Sequence, residues 1–297
     1  MGSSLNGRAE HLRELLAAPG PLELPGCYDV MSAMVIDQVG FSACFLSGYG
    51  VAASVCGNPD IGLTTLTETA SMARNVAGTL RIPLVVDADN GYGNEENVTR
   101  AIGELEHAGA AGIVIEDQVF PKRCGHAANK AVIPQDEFLR KLDRALNGRR
   151  TPLVVIARTD STDLDDAIRR ATAFHAAGAD ATIVDGLTSI EALRRVGREV
   201  PGLKQINLIY GGRTPLLSAA ELHALGFKIV LYSTPALYAV MTTLQRSMRQ
   251  LKETGNLDSL SAESTSFPVF QDFIETRYIE RVAAKPNTKP DGDGSGS

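Results

Sequence analysis

Long hydrophobic runs and concentrated basic charge are both missing from this sequence. No segment approaches the roughly 18 consecutive apolar residues that a membrane-spanning helix needs, so we expect no membrane association. The 29 lysines and arginines are outnumbered by 35 aspartates and glutamates and form no basic block, so we expect no nucleic-acid partner. The N-terminus also lacks the basic and then apolar segments of a secretory signal. These absences favour a cytoplasmic protein.

Cysteine is scarce as well. The four cysteines lie far apart and form no CxxC pair, which argues against a zinc site or a disulfide scaffold. Cys27, Cys44 and Cys56 lie among small or apolar residues and are expected to fill the core. Cys124 has a different, strongly charged environment.

The hydrophobic pattern predicts an α/β fold with one large core. Eight short apolar runs alternate with amphipathic stretches, and they lie at residues 22–24, 43–47, 84–87, 112–116, 153–157, 181–184, 205–209 and 229–232. Continuous apolar strands indicate a parallel sheet covered on both faces. Eight such units favour a closed (β/α)₈ TIM-type barrel over an open doubly wound sheet.

Helical patterns fill the segments between the strands and continue beyond the last one. The clearest of them cover residues 95–107, 134–146, 163–176, 219–225 and 235–251. An apolar patch at 267–279 then precedes a tail rich in Pro, Gly, Asp and Ser. We therefore expect residues 1–284 to form a single barrel domain with a C-terminal helical extension, and residues 285–297 to be a disordered tail.

Acidic residues follow two neighbouring strands, where the chemistry of such barrels collects. Asp87 and Asp89 are two residues apart and point to the same side, and Glu116 ends the next strand. A hard cation such as Mg²⁺ would relieve their repulsion, with Asp60 as a fourth ligand. The alternative is that these acids only cap the following helices.

Arg158 ends the fifth strand. Its guanidinium can hold a substrate carboxylate through two hydrogen bonds, and the alternative is a structural pair with Asp160 or Asp185.

A loop of roughly 18 residues after Glu116 is unusually long for a compact domain, which is typical of an active-site lid. We expect it to be mobile without ligand. Cys124 lies in this loop between Lys122, Arg123 and His126, and these neighbours should favour its thiolate form. The alternative is an exposed basic loop that happens to contain a cysteine.

These features together resemble the isocitrate lyase/phosphoenolpyruvate mutase superfamily over about residues 22–255. The matching motifs are Ser47-Gly48, Gly57-Asn58-Pro59-Asp60, Asp87-Ala88-Asp89-Asn90-Gly91-Tyr92-Gly93, Glu116-Asp117, Lys122-Arg123-Cys124-Gly125-His126, Ala157-Arg158-Thr159-Asp160, Asn207 and Gly212-Arg213-Thr214-Pro215. The resemblance implies a (β/α)₈ barrel, bound Mg²⁺ or Mn²⁺, and a homotetramer that exchanges a helix near the C-terminus.

The resemblance also implies roles for individual residues. Asp87 would bind the metal directly, with Asp89, Glu116 and Asp60 binding through water. Cys124 would exchange a proton with an acid-enolate carbon, as in the carbon–carbon lyases of the family. The other implied catalytic residues are Arg158, His126 and Lys122, and the implied substrate-binding residues are Ser47, Gly48, Tyr49, Gly125, Asn207, Asp185, Tyr210, Thr214 and Ser233.

Several positions depart from the lyase pattern. Asp185 and Tyr210 stand where these lyases usually have glutamates. Tyr238 stands where methylisocitrate lyases have an arginine that binds an extra carboxylate. We therefore expect a tricarboxylate to be a poor substrate. Ser233 matches the oxaloacetate-hydrolysing branch, whereas many relatives have proline there.

The function predicted from these residues is Mg²⁺-dependent cleavage of a carbon–carbon bond in a small 2-hydroxy or 2-oxo dicarboxylate through an enolate. The lyase and hydrolase forms of this reaction stay open, and oxaloacetate hydrolysis or decarboxylation is one alternative. A phosphonomutase is another, because some carboxyphosphonate-type mutases keep the cysteine motif. A third is a catalytically weakened barrel that only binds or regulates, suggested by Asp185 and Tyr210.

Overall fold

A computed structural model of the chain describes residues 5–125, 130–262 and 264–283. The described residues contain eight β-strands, each of four to six residues except for a three-residue second strand. They are β1 (Leu22–Cys27), β2 (Cys44–Leu46), β3 (Leu84–Asp87), β4 (Gly112–Glu116), β5 (Val154–Thr159), β6 (Ala181–Val184), β7 (Lys204–Leu208) and β8 (Ile229–Tyr232).

The eight strands form a closed parallel barrel in sequence order. β8 pairs with β1 through Ile229 and Leu22, which closes the sheet on itself. This arrangement confirms the predicted (β/α)₈ barrel. In a closed parallel barrel all strands end on one face, so the residues that follow them surround a common centre.

Helices connect the strands and cover the outside of the barrel. They are α1 (Leu5–Ala17), α2 (Val30–Val39), α3 (Gly48–Val55), α4 (Leu66–Ala77), α5 (Glu95–Ala108), α6 (Gln135–Gly148), α7 (Leu164–Ala176), α8 (Ile190–Glu199), α9 (Ala219–Ala224), α10 (Pro235–Thr254) and α11 (Phe267–Ala283). Polar side chains start several of them: Asn94 caps α5 by accepting hydrogen bonds from two backbone N–H groups. None of the described helices is both long enough and apolar enough to cross a membrane.

The core has an inner and an outer part. Inside the barrel, Phe45, Val114 and Ile183 belong to a cluster of buried apolar side chains that also includes Leu12 and Leu16 of α1. Because Arg13 of α1 donates hydrogen bonds to the carbonyls that precede β5, this helix closes the end of the barrel where the strands begin. The opposite end of the barrel, where the strands end, is not closed by this helix.

Two compact units are present, residues 5–240 and the described residues from 241 onward. The second contains the end of α10, a short 3₁₀ helix (Leu257–Leu260) and α11. The single-domain organisation and the exchanged helix stay predictions, and the predicted tail at 285–297 lies outside the described residues.

Candidate active site

A cleft opens at the carboxyl ends of the strands, with about 460 Å³ of free space including its mouth. It brings together residues from seven strands and their loops. The cleft is lined by Phe45, Ser47, Tyr49, Asp60, Asp87, Val114, Cys124, Gly125, Arg158, Ile183, Asp185, Gln205, Asn207, Ile209, Leu231 and Ser233. Ten residues predicted from the sequence to bind or react with substrate or metal are therefore found in one cleft.

Asp87 ends β3 and lies against the start of α3. Its two carboxylate oxygens accept hydrogen bonds from the backbone N–H groups of Gly48 (3.3 Å) and Asp89 (3.2 Å). A side chain at Gly48 would crowd the Asp87 carboxylate, so glycine permits this close approach. The first turn of a helix favours negative charge, so the start of α3 is a suitable place for the Asp87 carboxylate beside the cleft.

Lys122 of the lid loop binds two of the predicted metal ligands. Its buried ammonium lies 2.6 Å from Asp60 Oδ1 and 2.5 Å from Asp89 Oδ1. Burial raises the pKa of Asp89 to about 6, with Asp87 and Asp60 adding to the rise and Lys122 opposing it. Asp89 also adopts a left-handed backbone conformation (φ 47°), which is uncommon outside glycine and recurs at functional sites.

Arg158 is surrounded by carboxylates. It forms ion pairs with Glu116 (3.2 Å), Asp160 (2.8 Å) and Asp185 (2.9 Å). The structural pairing considered from the sequence is thus present, and the guanidinium also lines the cleft. Burial raises the pKa of Glu116 well above its ordinary value, against the lowering effect of Arg158.

Glu116 and Asp117 are adjacent but serve different sides of the barrel. Strand alternation sends Glu116 toward Arg158 and Asp117 outward, where it accepts hydrogen bonds from Thr159 (2.8 Å) and Arg170 of α7 (3.2 Å). Asp117 therefore joins the barrel to a helix and does not enter the cleft.

Four further polar residues, Ser47, Tyr49, Asn207 and Ser233, surround the cleft. Ser47 caps α3 by accepting a hydrogen bond from the Gly50 N–H (3.2 Å). Ser233 donates a hydrogen bond to Asn207 across the ends of β7 and β8. Tyr49 lies in the cleft lining and completes a rim of hydroxyl and amide groups suited to carboxylate and oxo oxygens.

The base of the lid loop is held by a short antiparallel pairing between Gln118 and Val132. The Gln118 carboxamide also donates to the Arg123 carbonyl (2.8 Å) and accepts from the Arg123 N–H (2.9 Å). This side chain bends the loop so that Cys124 reaches the cleft. His126 lies outside the described residues, and its predicted role stays a prediction.

Three predicted substrate residues are absent from the cleft lining, namely Gly48, Tyr210 and Thr214. Tyr210 is 83% exposed and borders a separate surface groove with Leu208 and Leu216, because it follows the end of β7 and points outward. Thr214 is buried in the loop that follows, away from the cleft lining. The predicted roles of Tyr210 and Thr214 in substrate binding stay predictions.

Sequence reasoning missed two buried polar residues. Lys130, at the far end of the lid, forms an ion pair with Asp160 (2.7 Å). Gln205 of β7 lines the cleft and is fully buried. The spacing of Gln205 and Asn207, two residues apart on a strand, was the signal that could have revealed the glutamine.

The charge balance of the site suits a divalent cation. Among the described residues, three cationic side chains form ion pairs with five carboxylates, and the Asp87 carboxylate adds a sixth negative charge. Glu116 Oε1 is a buried oxygen without a hydrogen-bond partner in this part of the chain. Among the described residues, no three Asp, Glu, His or Cys side chains are grouped closely enough to hold a metal ion as they stand. The Lys122 ammonium lies between the carboxylates of Asp60 and Asp89. These acids fit a divalent cation, which Asp87 and Glu116 would hold together with Asp89 and Asp60.

A parallel (β/α)₈ barrel with acidic residues, a buried arginine and a lid cysteine at its strand ends defines a class of enzymes that act on small anionic substrates. The family model described as phosphoenolpyruvate phosphomutase matches residues 12–252. The chain belongs to this family, within the PEP mutase/isocitrate lyase superfamily.

Curated relatives of different activity match over most of their length. The 2,3-dimethylmalate lyase of Eubacterium barkeri is 36% identical, with 92% of this chain and 96% of that protein covered. The chloroplastic carboxyvinyl-carboxyphosphonate phosphorylmutase of Arabidopsis thaliana is 38% identical, with 88% and 79% covered.

Two solved structures resemble the barrel closely. Oxaloacetate acetylhydrolase in complex with the inhibitor 3,3-difluorooxalacetate has a TM-score of 0.87 and 28% identity, covering 96% of this chain and 99% of that one. A phosphonopyruvate hydrolase complex with oxalate and Mg²⁺ has a TM-score of 0.82 and 26% identity, covering 94% and 98%.

Proposed function

We propose that this protein is a Mg²⁺- or Mn²⁺-dependent enzyme that cleaves a carbon–carbon bond in a small 2-hydroxy or 2-oxo dicarboxylate, as a lyase or a hydrolase. The observation that carries the proposal is the meeting of Asp87, Arg158 and Cys124 in the lining of one cleft. These three supply a metal ligand, a fixed cation and a proton carrier. Their combination suits a reaction that builds negative charge next to a carboxylate.

The cation requirement follows from the acids. Asp87, Asp89, Glu116 and Asp60 would hold the metal, and the Mg²⁺ in the oxalate complex of the related hydrolase supports this assignment. When bound, the metal would supply a Lewis acid that stabilises negative charge on substrate oxygens. The Arg158 guanidinium, held by three carboxylates, would present a fixed positive charge to the same substrate.

Cys124 would transfer a proton to a carbon atom of the reacting substrate. Carbon–carbon cleavage beside a carboxylate leaves an enolate, and a proton must reach its carbon before product leaves. The thiol lines the cleft and would donate that proton. In the reverse direction the thiolate would remove it.

The lid residues would keep water from the enolate. Gln118 holds the loop at Arg123, and Lys130 anchors its far end to Asp160. Gly125 packs against the Arg158 and Asp185 side chains so closely that a Cβ there would overlap both. Any larger residue at this position would force the lid away from the arginine.

The test is a substrate screen. Purified protein with Mg²⁺ is incubated with C4–C7 hydroxy and oxo diacids while pyruvate, oxalate and CO₂ are measured together. Metal-dependent release of a cleavage product from at least one diacid is the expected result. Release of CO₂ alone would indicate decarboxylation, and no turnover of any keto acid would favour the weakened, non-catalytic barrel.

Two observations favour particular reactions, one within the proposed class and one outside it. The contact between Ser233 and Asn207, together with the likeness to oxaloacetate acetylhydrolase, favours oxaloacetate hydrolysis within the proposed class. The identity with the phosphorylmutase of Arabidopsis thaliana favours a phosphonomutase as the second candidate. Rearrangement of a phosphonate without pyruvate or oxalate release would support that candidate. The homotetramer and the cytoplasmic location stay predictions from the sequence.

A further inference from the structure

Gln205 is a buried carboxamide without partners. The residue has no solvent exposure, and neither its Nε2 nor its Oε1 has a hydrogen-bond partner in the described part of the chain. Buried polar side-chain atoms are almost always hydrogen-bonded, so an amide with both ends unpaired requires an explanation. None of the residue roles proposed above uses it.

The side chain faces the cleft because of its place on β7. Gln205 and Asn207 are two residues apart and both line the cleft, whereas Ile206 and Leu208 between and beyond them pack in the outer core. Gln205 precedes Asn207 along the strand, so it lies about 7 Å further from the mouth. It therefore belongs to the floor of the cleft.

The described residues around Gln205 offer its amide no hydrogen-bond partner. The other residues that line the inner cleft, Phe45, Val114, Ile183 and Leu231, are apolar. Asn207, the next inward residue of the same strand, already accepts a hydrogen bond from Ser233. The amide is left facing the space that a bound molecule would enter.

We propose that Gln205 binds an oxygen of the substrate's second polar group, the one remote from the metal, and selects for a diacid over a substrate with an alkyl end. This inference rests on the proposed function, in which the cleft holds a small dicarboxylate. The carboxamide suits the task because its two N–H donors can bind a carboxylate without adding charge to an apolar floor. A neutral donor also avoids an ion pair with the acids above it.

The test compares two matched ligands by calorimetry with Mg²⁺ present. Malate and 2-hydroxybutyrate share the 2-hydroxycarboxylate and the chain length, but the second carboxylate of malate is a methyl group in 2-hydroxybutyrate. Gln205→Met keeps the side-chain length and removes the amide. We expect its affinity for malate to fall at least about tenfold, while its affinity for 2-hydroxybutyrate and for oxalate stays within about twofold.

The thermal stability of Gln205→Met distinguishes a role of Gln205 in ligand recognition from a structural role. Removing an unpaired amide from apolar surroundings should leave the Tm of Gln205→Met equal to or above that of the wild type. An unchanged malate affinity, or equal weakening of all three ligands, would overturn the inference. Should Gln205→Met fail to fold, Gln205→Asn, which keeps a shorter amide, must still weaken malate more than oxalate.

Failure of the proposed function would look different. Wild-type protein that binds none of the three ligands with Mg²⁺ would contradict the dicarboxylate site itself and the role of Gln205 with it. Wild-type protein that binds oxalate and malate, with Gln205→Met indistinguishable from it, would contradict only the role of Gln205.

Discussion

Tyr49, which lines the cleft, meets Tyr238 of α10 edge to face, with ring centroids 6.5 Å apart and ring planes at 81°. A hydrogen bond between the two side chains, together with burial, raises the pKa of Tyr49 to about 12. Tyr49 is therefore a neutral hydroxyl at physiological pH. An aromatic pair, with no positive charge, occupies the position at which related tricarboxylate lyases are expected to have an arginine.

Substrate size should follow from this pair. A third carboxylate would be desolvated beside Tyr238 without a cationic partner, at a cost of about 2–5 kcal/mol. We expect kcat/KM for 2-methylisocitrate to be at least about thirtyfold below that of a dicarboxylate with the same reacting centre. Steady-state kinetics on both substrates measure the ratio.

Two substitutions make the comparison sharper. Tyr238→Arg should raise kcat/KM for the tricarboxylate, while Tyr238→Phe, which keeps the ring and removes the hydroxyl, should not. Efficient cleavage of 2-methylisocitrate by the wild type would show that the aromatic pair does not limit substrate size.

Asp87 should be indispensable for metal binding. Asp87→Ala removes the acid that is held by the Gly48 and Asp89 N–H groups, and we expect loss of both Mg²⁺ affinity and turnover. The barrel should stay folded because the residue lies at the functional face and not in the core. Calorimetry with Mg²⁺ and circular dichroism measure the two effects.

The control for Asp87 is Asp136→Asn, which changes an exposed acid on α6. This variant should bind Mg²⁺ like the wild type. Full activity of EDTA-treated wild-type protein would show that the acids have a purely structural role.

The lid should respond to ligand. Arg123 is an exposed lid residue, so trypsin should cleave after it in the free protein. Mg²⁺ together with oxalate, an enolate mimic, should suppress this cut because a closed lid buries the bond. Mass spectrometry of the fragments over time identifies the cut and its rate.

The same digestion with Asp87→Ala provides the control. Without a metal site, oxalate should give no protection in that variant. Equal cleavage of wild-type protein with and without Mg²⁺ and oxalate would identify the segment as a static loop.

Cys124 distinguishes the reaction classes. If the thiol protonates an enolate carbon, Cys124→Ser should lose about 10²–10⁴-fold in kcat, because a hydroxyl is a poor proton carrier near pH 7. The KM should change little, since Arg158 and the metal ligands still hold the carboxylate. A phosphonomutase needs no proton at that carbon and would keep substantial activity.

Cys56→Ser serves as the matched control. Cys56 is partly buried, and its thiol donates a hydrogen bond to Glu68 outside the cleft, so this variant should keep its activity. Near-normal turnover of Cys124→Ser would reject the lyase mechanism, and would favour the phosphonomutase or a hydrolase in which the thiol only lines the lid.

The sequence alone predicted the barrel and the face that carries the site. Continuous apolar runs at regular spacing identified all eight strands, since a strand buried on both faces has little tolerance for polar residues. The order of the strands placed Asp87, Asp89 and Glu116 at one face of the barrel, because parallel strands end at the same face. These inferences needed only the period of a strand and the closure of a sheet.

The tertiary structure decided which of these groups meet. Arg158 lies among Glu116, Asp160 and Asp185 because register places β4 beside β5 and β5 beside β6. Lys122 reaches Asp60 and Asp89 through the path of a loop, and loop paths depend on contacts far apart in sequence. The exposure of Tyr210 likewise follows from the path of the loop after β7. Sequence periodicity specifies the side of a strand on which a residue lies, whereas its partners are set by register and loop path, which exist only in the folded chain.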